Sequence, residues 1–153
     1  MDAAENLKKI NLELPAAPSP VGSYVAYKIS GKLVFISGQI SLKSNGELIK
    51  GKVGLDLTIE EGQVAARACA INIISQIKAA CNGDLNKIKS CIKLTGFVNS
   101  TDAFIDQPKV INAASELMTQ IFTENGKHAR AAVSVNSLPL GAAVEVEAIF
   151  EIS

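Results

Sequence analysis

The sequence predicts an α+β fold, a mixed sheet of about six strands with two helices packed on one face. Three observations predict it. Patterned segments follow the order strand–strand–helix–strand–helix–strand–strand. Both long helical segments carry an apolar stripe on one side only. Several strand segments are apolar on both faces, which two helices on one side of a sheet cannot cover. The 153 residues suit one domain, and 48% apolar with 20% charged residues is enough to bury a core and too apolar for a disordered chain.

Residues 3–13 read as a short amphipathic helix, with Leu7, Ile10 and Leu14 at spacings of three and four. Pro15, Pro18 and Pro20 then impose an extended connector. Residues 1–20 therefore form an N-terminal helix and proline-rich connector, and residues 21–153 a single domain. The domain opens with two strand-like runs, Tyr24 to Ile29 and Leu33 to Ile36, joined through Ser30-Gly31-Lys32 as a hairpin. Lys43 to Gly54 is glycine-rich loop. Thr58 and Glu61 have the spacing of a capping box, so a helix starts there, with Val64, Ala68, Ile71, Ile74 and Ile77 as its apolar stripe. Asn82-Gly83 stops it. Ile88, Ile92, Leu94 and Val98 mark a strand. A second helix starts near Pro108, which suits a first turn, and buries Val110, Ile111, Ala114, Leu117, Met118 and Ile121. Arg130 to Asn136 and Ala143 to Ile152 are the last strands, and the short linker 137–141 predicts a hairpin between them.

A sheet face left uncovered needs a partner, and a second copy of the chain supplies the simplest one, so the pattern implies a homo-oligomer. Fifteen basic residues balance fifteen acidic ones. Such a chain has no overall field to hold nucleic acid or an anionic membrane, and no apolar run approaches the roughly 20 residues of a bilayer span. Nucleic acid and membrane are not expected partners. Three cysteines, none in a Cys-x-x-Cys spacing, read as buried reduced thiols, and the acidic first residues lack the basic start of a signal peptide. The expected location is cytoplasmic.

Arg130 and Glu145 form the first candidate constellation. Alternation places Arg130, Ala132 and Ser134 on one side of their strand, and Glu145, Glu147 and Glu151 on one side of theirs. A hairpin between these strands would set Arg130 and Glu145 on one face, about two residues apart. Arginine can hold a carboxylate by a planar two-point contact, and a nearby glutamate can take a proton from water. The same spacing also fits a cross-strand ion pair in solvent, worth little. His128, the one histidine, is a general acid–base by type, but is expected to lie exposed in the loop before the strand. One histidine and scattered Cys69, Cys81 and Cys91 give no metal-ligand set. The run from Gly46 to Val53 misses a P-loop, because Val53 stands where magnesium needs Ser or Thr. Phe35, Phe97 and Phe122 read as core, which leaves no aromatic platform for RNA.

Three segments together resemble the RidA (YjgF) family, also labelled L-PSP endoribonuclease. They are Ser37-Gly38-Gln39-Ile40 after a strand, His128-Ala129-Arg130-Ala131-Ala132-Val133, and Leu138 through Ile149 with its Val-Glu-Val-Glu core. The resemblance covers about residues 20–152. It implies a chorismate-mutase-like fold (bacillus type), assembled as a homotrimer with clefts between subunits. It implies hydrolysis of 2-imino acids to 2-keto acids and ammonia, without metal or organic cofactor. By position, Arg130 corresponds to the arginine that holds the substrate carboxylate, and Glu145 to the glutamate that positions or activates water. Tyr24, Ser37, Gly38 and Asn112 correspond to residues beside the ligand. The chain departs from the family pattern at His128, Ala131 and Ala132, where proline, serine and cysteine are usual, and is similar to a divergent subgroup. Two other functions stay open: an endoribonuclease, and a non-catalytic trimer that binds a small carboxylate and regulates a partner.

Overall fold

In the computed structural model, which describes residues 2–153, the chain folds as α1 (Ala3–Lys9), β1 (Tyr27–Ser30), β2 (Leu33–Ile40), α2 (Ile59–Ala80), β3 (Ile88–Asn99), α3 (Gln107–Phe122), β4 (Ala129–Val135) and β5 (Val144–Ile152). The fold is α+β, with five strands in the order β1-β2-β5-β3-β4 and not the six expected. Among the described residues three α-helices are present, the short α1 adding to the two long ones.

The final hairpin does not form. β4 pairs with β3, in parallel, while β5 runs antiparallel to the other side of β3. A parallel neighbour requires a crossover, and α3 supplies it between β3 and β4. The 137–141 linker instead carries the chain past the end of β3. Asn99 meets it there, its backbone N–H donating to the Ala143 carbonyl at 2.9 Å and its side chain to the Ala142 carbonyl at 3.1 Å. Leu140 takes a left-handed φ of 59° in that turn.

One sheet face is covered. Val34, Ile36, Leu94, Val98, Val144, Val146, Ala148 and Phe150 all point at α2 and α3 and are buried. α3 buries the six residues its pattern assigns, together with Phe122, whose ring meets Phe150 edge-on at 5.9 Å. Each such aliphatic side chain contributes about 1.5–3 kcal/mol. α3 lies close on β3: a Cβ on Gly96 would stand 2.5 Å from Ile111 Cδ1. α2 does begin at a complete Thr58–Glu61 capping box, but its buried face is broad and small: Ala65, Ala66, Cys69, Ala70, Ile73, Ile74 and Ile77. Val64, expected in the stripe, is 55% exposed. The N-terminal segment packs on the same layer. Asn6 donates to the Ile121 carbonyl at 2.9 Å, and Gln76 of α2 holds the Pro18 carbonyl at 2.7 Å.

The other face is open. Leu33, Phe35 and Val133 stand on it, exposed by 38–45%, beside half-buried Phe97 and Ile149. Phe35 and Phe97 are therefore not core residues. Only Phe122 of the three expected aromatics is.

Candidate active site

Glu145 sits on β5 with its side chain on the open face, opposite the buried Val144 and Val146. Beside it, β2 breaks register between Ile36 and Gln39, and Ser37 and Gly38 occupy the break. A bulge of this kind re-aims the strand locally. Here it brings Gly38 so close that a Cβ would stand 2.9 Å from both Cδ and Oε2 of Glu145. A side chain at position 38 would therefore displace the carboxylate it faces. Ser37 ties in the preceding segment: its hydroxyl donates to the Val25 carbonyl at 2.7 Å and its N–H to the Ala26 carbonyl at 2.9 Å. That seats Tyr24 at the rim, where its hydroxyl accepts from the Val21 N–H at 3.3 Å. These residues, with Phe97 and Glu147, line a cleft of about 820 Å³. Burial raises the Glu145 carboxyl above the ordinary carboxylate range, and the negative charge of Glu147 raises it further.

Arg130 lies elsewhere. β4 pairs Arg130 with Leu94, a helix-facing residue, whereas Glu145 pairs with Phe97 on the open face. The two side chains are on opposite faces of the sheet, so the expectation that they share one is corrected. The cause is the inserted β3: pairing both strands to it, and not to each other, sets their faces independently. Arg130 emerges at the sheet edge against α3. Its Nη1 donates to Asn112 Oδ1 at 2.8 Å and to Ser115 Oγ at 3.2 Å. Among the described residues no carboxylate lies within ion-pair distance of it. A shallow groove of about 370 Å³ runs here between Ser115, Glu116, Thr119, Lys127, His128 and Arg130.

His128 is not the exposed loop residue expected. It is half-buried, with Nδ1 2.6 Å from the Gly126 carbonyl and Nε2 2.8 Å from Ser115 Oγ. Burial lowers its pKa, the Gly126 carbonyl opposes this, and the Arg130 charge lowers it again.

The structure therefore gathers the named residues into two groups: Tyr24, Ser37, Gly38 and Glu145 in the cleft, and Asn112 and Arg130 at the edge. Two members were missed. Glu147 is visible in the alternation of β5, two residues from Glu145 on the same face. Ser115 carries no sequence signal, being one polar position on a helix. Cys69, Cys81 and Cys91 are buried free thiols, and burial pushes Cys91 up to about 12. Among the described residues no group of three or more His, Cys, Asp and Glu is placed to hold a metal ion.

The family model described as "YjgF/chorismate mutase-like, putative endoribonuclease" matches residues 5–152. The chain belongs to this family. Among relatives of the YjgF-family chain, protein TCP17 of Trypanosoma cruzi is 46% identical over 151 residues, covering 98% of this chain and 94% of that one. The human 2-iminobutanoate/2-iminopropanoate deaminase is 31% identical over 134 residues, 87% of this chain and 82% of the relative. The crystal structure of Atu1372 from Agrobacterium tumefaciens, a protein of unknown function, superposes with a TM-score of 0.90 at 46% identity, covering 99% of this chain and 94% of that one. No helix among the described residues is long and apolar enough to cross a membrane.

Proposed function

We propose that this protein is a homotrimeric deaminase that hydrolyses 2-imino acids to 2-keto acids and ammonia in clefts between neighbouring subunits. The observation that carries the reading is the split of the site. One group holds a half-buried carboxylate of raised pKa in a cleft on an open apolar face. The other holds an arginine at the sheet edge with no carboxylate partner. Neither can complete the other within one chain. A second copy laid on the open face, with its β4 edge at the first copy's cleft, completes both. The deaminase name of the human relative supports the choice of reaction.

In that cleft Arg130 of one subunit holds the substrate carboxylate by two parallel N–H groups. Glu145 of the neighbour receives a proton from water as the water oxygen bonds to C2 of the protonated imine. The carbinolamine that results takes that proton on nitrogen. Its C–N bond then breaks, the electron pair leaving with ammonia, and the hydroxyl proton passes to the Glu145 carboxylate as the keto acid forms. The raised basicity of Glu145 suits a group that must first accept a proton and then return it. This acid–base sequence uses no metal or organic cofactor.

The test is ammonia release from freshly generated 2-iminobutanoate, run beside sedimentation equilibrium. Turnover should accompany a particle of about three times the 16.1 kDa chain mass. A monomer that turns over normally removes the shared cleft. A trimer that binds 2-oxobutanoate without hydrolysing the imine is a carboxylate-binding module and not a deaminase.

A further inference from the structure

We propose that Ser115 and His128 are positioning residues for Arg130: a one-way hydrogen-bond chain fixes the guanidinium so that its Nε–Nη2 edge meets the ligand carboxylate. The proposal rests on the anchor role given to Arg130 above. For a neutral imidazole only one assignment of protons fits the atoms. The Gly126 carbonyl can only accept, so Nδ1 of His128, 2.6 Å away, carries the hydrogen. Nε2 of the neutral ring is then a bare acceptor, and Ser115 Oγ at 2.8 Å donates to it. With its hydrogen committed, Ser115 Oγ offers lone pairs to Arg130, whose Nη1 donates to it at 3.2 Å. The second Nη1 hydrogen goes to Asn112 Oδ1 at 2.8 Å.

Both hydrogens of Nη1 are thereby used. Nε and Nη2 have no protein acceptor among the described residues, and their parallel N–H groups match a carboxylate in width. The chain also decides which edge is offered, because Asn112 and Ser115 lie one turn apart on α3 and hold Nη1 from two sides. Its far end is rigid. A Cβ on Gly126 would stand 2.2 Å from the Met118 carbonyl oxygen, so the turn that aims the Gly126 carbonyl is closed down on α3. The lowered pKa of His128 keeps the ring neutral at pH 7, as the chain requires. Successive bonds of one direction polarise each other, so removing either middle member should cost the whole device.

His128 is the only histidine, so its ring nitrogens give unambiguous signals in a long-range proton–nitrogen spectrum of the untagged, labelled protein. Above neutral pH the Nδ1–H tautomer should be seen, and an Nε2–H tautomer overturns the chain. Calorimetric titration with 2-oxobutanoate supplies the second measurement. Ser115→Ala and His128→Ala should each weaken binding at least about tenfold, the lower end of the range for one hydrogen bond to a charged group. Ser115→Thr, which keeps the hydroxyl, should bind like the parent, and the double alanine variant no worse than either single one. Arg130→Ala should not bind. If Arg130→Ala binds normally, the anchor role itself fails. If Arg130→Ala loses binding while Ser115→Ala and His128→Ala keep it, the anchor stands and the positioning chain is refuted.

Discussion

Glu145 and Arg130 stand on opposite faces of one sheet, and the chain holds them by different means. Glu145 is held by backbone. A bulge in β2 presses Gly38 against its carboxylate, and burial with the charge of Glu147 sets its basicity. Arg130 is held by side chains, Asn112 and Ser115 from a helix and His128 behind them. The first arrangement suits a group that must change protonation state, since fixed backbone and a low dielectric act on its proton. The second suits a group that never loses its proton and needs only direction.

The largest effects should come from breaking either half. Arg130→Lys keeps the charge but loses the planar fork, and should lower turnover of 2-iminobutanoate by roughly 10²-fold or more. Glu145→Gln should slow turnover by about 10²- to 10⁴-fold while 2-oxobutanoate still binds. Co-expressing the two inactive variants separates a shared cleft from a site within one chain. In randomly mixed trimers about one quarter of the clefts pair an intact Arg130 with an intact Glu145, so about a quarter of the parent activity should return. Mixed oligomers that stay inactive would show that both residues must come from the same chain.

That the two halves stand on opposite faces of the sheet was only partly legible in the sequence. The uncovered apolar face was visible in Leu33 to Ile36, and the alternation of β4 and β5 correctly sorted Arg130 from Ala131 and Glu145 from Val146. What alternation cannot show is how one strand's faces relate to another's. That depends on pairing, and the short 137–141 linker imitates a hairpin while β3 lies between its strands. The parallel β3–β4 pair is set by the α3 crossover, whose strand–helix–strand order is legible but competes with the hairpin that the short linker suggests. α3 was readable because its buried residues are large and one-sided. α2 was readable in its capping box and in Ala68, Ile74 and Ile77, but not in its full buried face, because alanine carries little hydrophobic signal and Val64 faces outward between buried Gly62 and Ala65. Gly38 came through the family resemblance alone, and its reason, the Glu145 carboxylate 2.9 Å from a would-be Cβ, is a tertiary contact.

A smaller change tests the backbone hold directly. Gly38→Ala inserts a methyl group where the Glu145 carboxylate now lies. The far end of a glutamate can move aside, so folding and melting temperature should change little. The displaced base should lower kcat about tenfold, since sub-ångström misplacement is costly to a proton transfer. KM should stay near the parent value because Arg130 is untouched. A variant with unchanged kcat would mean that Glu145 does not act from the position it holds here.

The smallest effect concerns Glu147, which touches the comparison at its electrostatic side. Burial is the larger cause of the raised Glu145 pKa and the Glu147 charge the lesser. A base works ionised, so turnover should climb with pH through that raised value. Glu147→Gln removes the like charge and leaves the burial. The acid limb of the kcat profile should then move to lower pH, but only part of the way, because the burial remains. Stability should follow the same sign. A carboxyl whose pKa is higher folded than unfolded binds more protons in the native state, so stability falls as pH rises from the unfolded value to the folded one. Glu147→Gln narrows that window, and the melting temperature at neutral pH should rise slightly while at strongly acidic pH the two proteins melt alike. A limb that moves to higher pH, or does not move, would show that a group other than Glu145 carries the proton.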